Sequence, residues 1–230
     1  MSHFAASFDA VIWGTEMIEP IISDPIEIRH EAAALGLSAE GLISCVRYAD
    51  SERGFVTEND AIGFGSYVTY DKAGRALREI FLSTGKWTRD DSYNQCAIKN
   101  AETKIRVVPC NFDEFAGNRL ATPSNRSPKG EISRKKSMCN LTAWLPGMVP
   151  EGPTMIDVEG YQTWLLGICA VEGLKLGAEL SLPIAFKGHY FTKFGKRIML
   201  ISDGDDAIVE RKEKGDGEVG VVDIEVRRKA

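Results

Sequence analysis

Six cationic side chains, Arg119, Arg126, Lys129, Arg134, Lys135 and Lys136, crowd into one stretch of the sequence. Lysine and arginine at that density neutralise phosphates and release the counterions condensed on a polyanion, so binding is strong at low salt and weak at high salt. The stretch that carries them, GNRLATPSNRSPKGEISRKKS over residues 117–137, is rich in Gly, Pro, Ser and Asn and poor in large apolar side chains. Such a composition has little to bury and predicts a long exposed loop. Trp87, Tyr93 and Trp144 would supply stacking faces for bases if the fold brings them to that loop. The plain alternative is a solvated surface that only keeps the protein soluble.

A second pattern runs from Ala32 to Ile43, AAALGLSAEGLI. Its spacing resembles a DNA-binding helix-turn-helix, with small Ala32 for a close helix crossing, Gly36 for the tight turn and Leu42 to pack the second helix back on the first. The polar reach of that second helix is Glu40, Ser44 and Arg47, with Arg47 its one cation. Groove-reading helices present several Arg, Lys, Asn or Gln, so an ordinary helical hairpin packed on the core competes with the DNA-reading interpretation.

Acid–base and metal chemistry has a separate set of candidates. Asp90 and Asp91 follow Arg89, and Asp203, Asp205 and Asp206 follow an apolar run. Paired carboxylates of this kind can hold a hard cation, and His189, at a turn between two predicted strands, has the residue type of a general base. A small metal-assisted hydrolase or nuclease is therefore the alternative reading. Against it, Asp-Gly is a common turn dipeptide, and a single histidine at a turn is usually a surface residue. Cys45, Cys96, Cys110, Cys139 and Cys169 are widely and irregularly spaced, unlike a disulfide framework or the paired short intervals of a zinc site. With only His3, His30 and His189 as imidazoles, an activated thiolate has few partners. No phosphate-cradling, dinucleotide-binding, HExxH or GxSxG motif is present, and we expect no cofactor and no metal.

Elements must position these groups. Asp24, Pro25 and Glu27 form a capping signal for a helix over 25–35, ended by Gly36, and Ser38 caps a second over about 38–49. Tyr67–Tyr70, Ile80–Leu82 and Ile105–Val108 are β-branched and aromatic and are predicted strands, with Asp71–Gly74 a turn between the first two. Tyr161–Val171 reads as a buried strand or short helix, Leu180–Phe186 and Arg197–Ile201 as strands, and Val219–Val226 as a terminal strand. Leu145–Pro153, with its repeated prolines, is a predicted connector.

The 230 residues are 43% hydrophobic and 27% charged with a net charge of −5, ordinary globular values that give no overall attraction to polyanions or anionic lipid. Any such binding must come from a local basic surface. Neither a secretory leader nor a membrane span is expected, and an odd, irregularly spaced set of five cysteines fits a reducing compartment, so a cytoplasmic protein is expected. The predicted fold is α+β: one domain over 1–230, with a helical hairpin in 1–60 packed on a largely antiparallel sheet in 61–230, and the basic loop at 117–137. The predicted function is a non-enzymatic nucleic-acid-associated binding or regulatory protein, partnered by DNA or RNA, with a protein-interaction module as a further alternative.

Overall fold

The computed structural model describes residues 20–144, 160–171 and 173–202. Helix α1 (Pro25–Ala34) begins where Asp24 accepts the free amides of Ile26 at 2.8 Å and Glu27 at 3.1 Å. It ends where Gly36 takes φ +77° and the Leu37 amide donates back to the Ala32 carbonyl. Ser38 then caps α2 (Ala39–Arg53) by accepting from the Gly41 amide.

Helix α3 (Phe64–Leu82) overturns a sequence expectation, because it swallows the predicted strands at Tyr67–Tyr70 and Ile80–Leu82 and the turn at Asp71–Gly74. The reason lies in which side chains are buried: Val68, Thr69, Ala73, Ala76, Leu77 and Phe81 recur at helical spacing, and this outweighs the β propensity of the aromatic and branched residues. Gly74 serves close packing: a methyl group there would lie 2.4 Å from Cys96 Sγ.

Among the described residues seven strands follow or flank these helices: β1 (Ile21–Ile22), β2 (Thr88–Asp90), β3 (Ala97–Asn100), β4 (Ile105–Asn111), β5 (Gln162–Cys169), β6 (Gly177–Lys187) and β7 (Tyr190–Ile201). Their order in the sheet is β1-β7-β6-β5-β4-β3-β2. Four neighbouring pairs are antiparallel, but β4/β5 and β1/β7 are parallel, so the sheet is mixed. A parallel pair needs a crossover, and the chain between β4 and β5 contains α4 (Glu131–Trp144). That helix takes in the last part of the predicted basic loop.

Alternation along the strands builds two cores. On one face Ile98, Val107, Leu166, Leu180 and Ile198 pack with Ala32, Leu42, Leu77 and Phe81 of the first three helices. On the other, Val108, Cys110, Leu165 and Cys169 pack with Phe112, Phe191 and Phe194. Buried Arg197 donates to Glu179 at 2.6 Å and to the carbonyls of Asn118 and Ala121, while the Gly117 amide donates to Glu179. This charged clamp ties residues 117–121 to the sheet. No helix among the described residues is long and apolar enough to cross a membrane.

Candidate functional site

A groove of about 1260 Å³ opens between the first two helices, the end of β7 and the chain that links β5 to β6. Glu40, Ile43, Arg47, Asp50 and Arg53 recur at three- or four-residue spacing, so α2 turns one stripe toward it. Ile43, Ile28, Leu176 and Leu200 give it an apolar floor, Arg29 enters from α1, and Lys175 from the β5–β6 connection.

Among the described residues four lining side chains are cationic, Arg29, Arg47, Arg53 and Lys175, and two are acidic, Glu40 and Asp50. Arg29, Arg47 and Arg53 form no ion pair with a carboxylate of the described residues. Arg119 joins them at the rim: its guanidinium lies 3.4 Å from the hydroxyl of Ser23, which lines the groove. Guanidinium groups without a carboxylate partner among the described residues, set around an open groove, offer planar, fork-like donors to phosphate or carboxylate oxygens.

Of the cationic residues singled out by sequence, Arg47 lines this groove and Arg119 lies at its rim, while the rest of the basic stretch is elsewhere. Arg134 is held by Glu131 at 2.7 Å on α4. Lys136 is buried, donating to Gln95 Oε1 at 2.7 Å and lying 5.4 Å from the centre of the Tyr93 ring. Lys135 is half-buried on the same helix. Arg126 is exposed, and its amide donates to the Asn111 carbonyl. Lys129 is half-buried and its carbonyl meets His189 Nδ1 at 3.0 Å. The stretch 117–137 is thus not one uniformly exposed basic loop, because its end is helical and Lys136 directs its charge inward. Trp87 is in the core, donating to the Gly36 carbonyl at 3.0 Å, so it offers no face to a base.

The acidic candidates are likewise committed. Asp90 is buried and accepts from Arg106 Nε at 2.6 Å. Burial pushes its carboxyl up, but hydrogen bonds from Ser92 and the adjoining Arg106 charge outweigh that and hold it at about 2. Exposed Asp91 pairs with Arg89 and Arg78, which lower its pKa. None of these bonds brings His189 to either carboxylate. Asp203, Asp205, Asp206, His3, the connector at 145–153 and the terminal strand at 219–226 lie outside the described residues. Among the described residues no group of three or more His, Cys, Asp or Glu could hold a metal ion. Burial pushes the Cys45 thiol up to about 12 and raises Cys96, Cys110 and Cys169 as well, the opposite of what a nucleophilic thiolate needs.

Arg29 and Lys175 escape sequence reasoning because each is a lone cation in its own segment, and Arg53 because it closes α2 a turn and a half beyond Arg47. No family model matches the chain, and no curated protein or solved structure matches it either.

Proposed function

We propose that this is a non-enzymatic, nucleic-acid-associated binding protein that takes phosphodiester oxygens into the groove between the first two helices and the end of β7. The observation that carries the reading is the convergence of Arg29, Arg47 and Arg53 on one open groove with no carboxylate partner among the described residues, and with Arg119 at its rim. Among the described residues the lining carries more cationic than anionic side chains, which would supply locally the attraction that the acidic chain lacks as a whole. The helix-turn-helix-like segment contributes a wall, since the exposed stripe of α2 carries Arg47 to the groove. A hydrolase reading gains nothing from Asp90, whose carboxylate is bound to Arg106.

Fluorescence anisotropy with labelled single-stranded and duplex oligonucleotides at several salt concentrations tests it. Affinity falls with salt, and R29A/R47A/R53A weakens binding by on the order of a hundredfold near 0.1 M salt and shallows the salt dependence by about 0.7 per lost contact on single strands. Arg134→Ala, already neutralised by Glu131, leaves affinity within about twofold of the parent. Absence of binding at low salt, or equal loss in R29A/R47A/R53A and R134A, refutes the reading.

A further inference from the structure

The Arg53 end of the groove borders a second feature. Phe64 and Tyr67, one turn apart at the start of α3, stack with ring centres 6.3 Å apart and planes 23° from parallel. Both rings are open to solvent, at 41% and 61% exposure, and Phe55, two residues after Arg53, is 80% exposed. Arg53 connects this pair to the groove: it lines the groove, and a methyl group placed on Gly65, between the two rings in sequence, would lie 3.4 Å from its Nε. The first turn of α3 is also anchored, since Asn111 Nδ2 donates to the Ser66 carbonyl at 2.7 Å.

Exposed aromatic rings in water lose apolar contact area, and a stacked pair that buries neither ring gains little for the fold. A planar π-face beside an arginine is, however, the arrangement that holds an unpaired nucleobase, with the ring taking the base and the guanidinium taking the phosphate. Bases of a duplex are stacked inside it and cannot reach such a face. We infer that the ligand class is single-stranded nucleic acid, with bases stacked on Phe64 and Tyr67 and the adjoining phosphates on Arg53 and Arg47. This rests on the groove being a phosphate site, and adds that the protein distinguishes a strand with bases from the same backbone without them.

The test compares oligothymidylate with an abasic deoxyribose-phosphate chain of equal length and charge, using the full chain. The parent binds oligothymidylate roughly ten- to a hundredfold more tightly than the abasic chain. F64A/Y67A loses that preference and keeps its abasic affinity, while Y67F retains the preference, because the ring face and not the hydroxyl holds the base. Both residues are exposed, so the double variant keeps its fold, checked by an unchanged unfolding transition. As an independent readout, Phe64→Trp fluorescence is quenched by oligothymidylate and not by the abasic chain. Equal affinity for the two chains, or tighter binding of duplex than of oligothymidylate, overturns the inference while leaving the phosphate groove standing. Binding of neither chain removes both.

Discussion

Arg106 and Asp90 show how a charge can be present in the sequence and unavailable at the surface. Arg106 is fully buried, bonded to Asp90 and stacked 5.1 Å from the centre of the Tyr161 ring, while Asp90 also accepts from the Ser92 amide. Because the Asp90 carboxyl is depressed from 3.8 to about 2, its contribution to stability is complete above the unfolded value and is lost as pH falls through the folded one. We expect the urea midpoint to fall between pH 4 and pH 2, with on the order of 1 to 2 kcal/mol coming from this group after allowance for solvent screening. In D90N that part of the acid dependence disappears, and stability at neutral pH drops by about 1.5 to 3 kcal/mol, because the charge-assisted hydrogen bond between buried Arg106 and the Asp90 carboxylate is lost. A D90N protein as stable as the parent, followed by urea unfolding, would show that the pair contributes nothing.

At the scale of elements, α3 and α4 are the instructive cases. An exposed glycine inside a helix normally becomes more stable by up to about 1 kcal/mol on replacement by alanine. Gly74 is buried against Cys96 Sγ and Cβ, so G74A is expected to reverse that sign and destabilise by about 1 to 3 kcal/mol, read from thermal or urea unfolding. Helix α4 is held by Asn140. In β6, Pro183 has no amide to donate, the register with β7 slips on either side of it, and the ladder to β5 does not extend to Thr163. The buried Asn140 amide fills that gap: its Nδ2 donates to the Thr163 carbonyl at 2.7 Å and the Pro183 carbonyl at 2.9 Å, and its Oδ1 accepts the Thr163 amide. N140A strands buried backbone groups and is expected to cost about 2 to 4 kcal/mol in urea unfolding. Asn140→Asp restores only the acceptor and recovers a fraction of that.

For the whole molecule, the sheet serves to gather cations that are distant in the chain. Arg29 and Arg47 come from the first two helices, Lys175 from the β5–β6 connection, and Arg119 from the segment clamped by Glu179 and Arg197. The overall charge of −5 opposes polyanion binding at long range, so contact through the groove should show modest association rates and steep weakening with salt, visible in the same anisotropy titrations.

The start of α1, its glycine stop and the cap of α2 were legible in the sequence because Asp24, Gly36 and Ser38 act on amides and dihedrals within a few residues of themselves. The strands β4, β6 and β7 were legible through apolar alternation and punctuation by Lys187-Gly188. Helix α3 was misread because the β propensity of its aromatic and branched residues masked the helical spacing of Val68, Ala73, Leu77 and Phe81, which prevails once those side chains are buried. Helix α4 was missed because its buried stripe is polar, Ser133, Ser137 and Asn140, so no apolar period announces it. Composition alone showed that cations cluster at 119–136, but a charge faces solvent or protein according to its three-dimensional neighbours. Gln95 draws Lys136 inward and Glu131 occupies Arg134, whereas Arg47, Arg53 and Arg29 remain turned to a groove that exists only once helices and sheet have met.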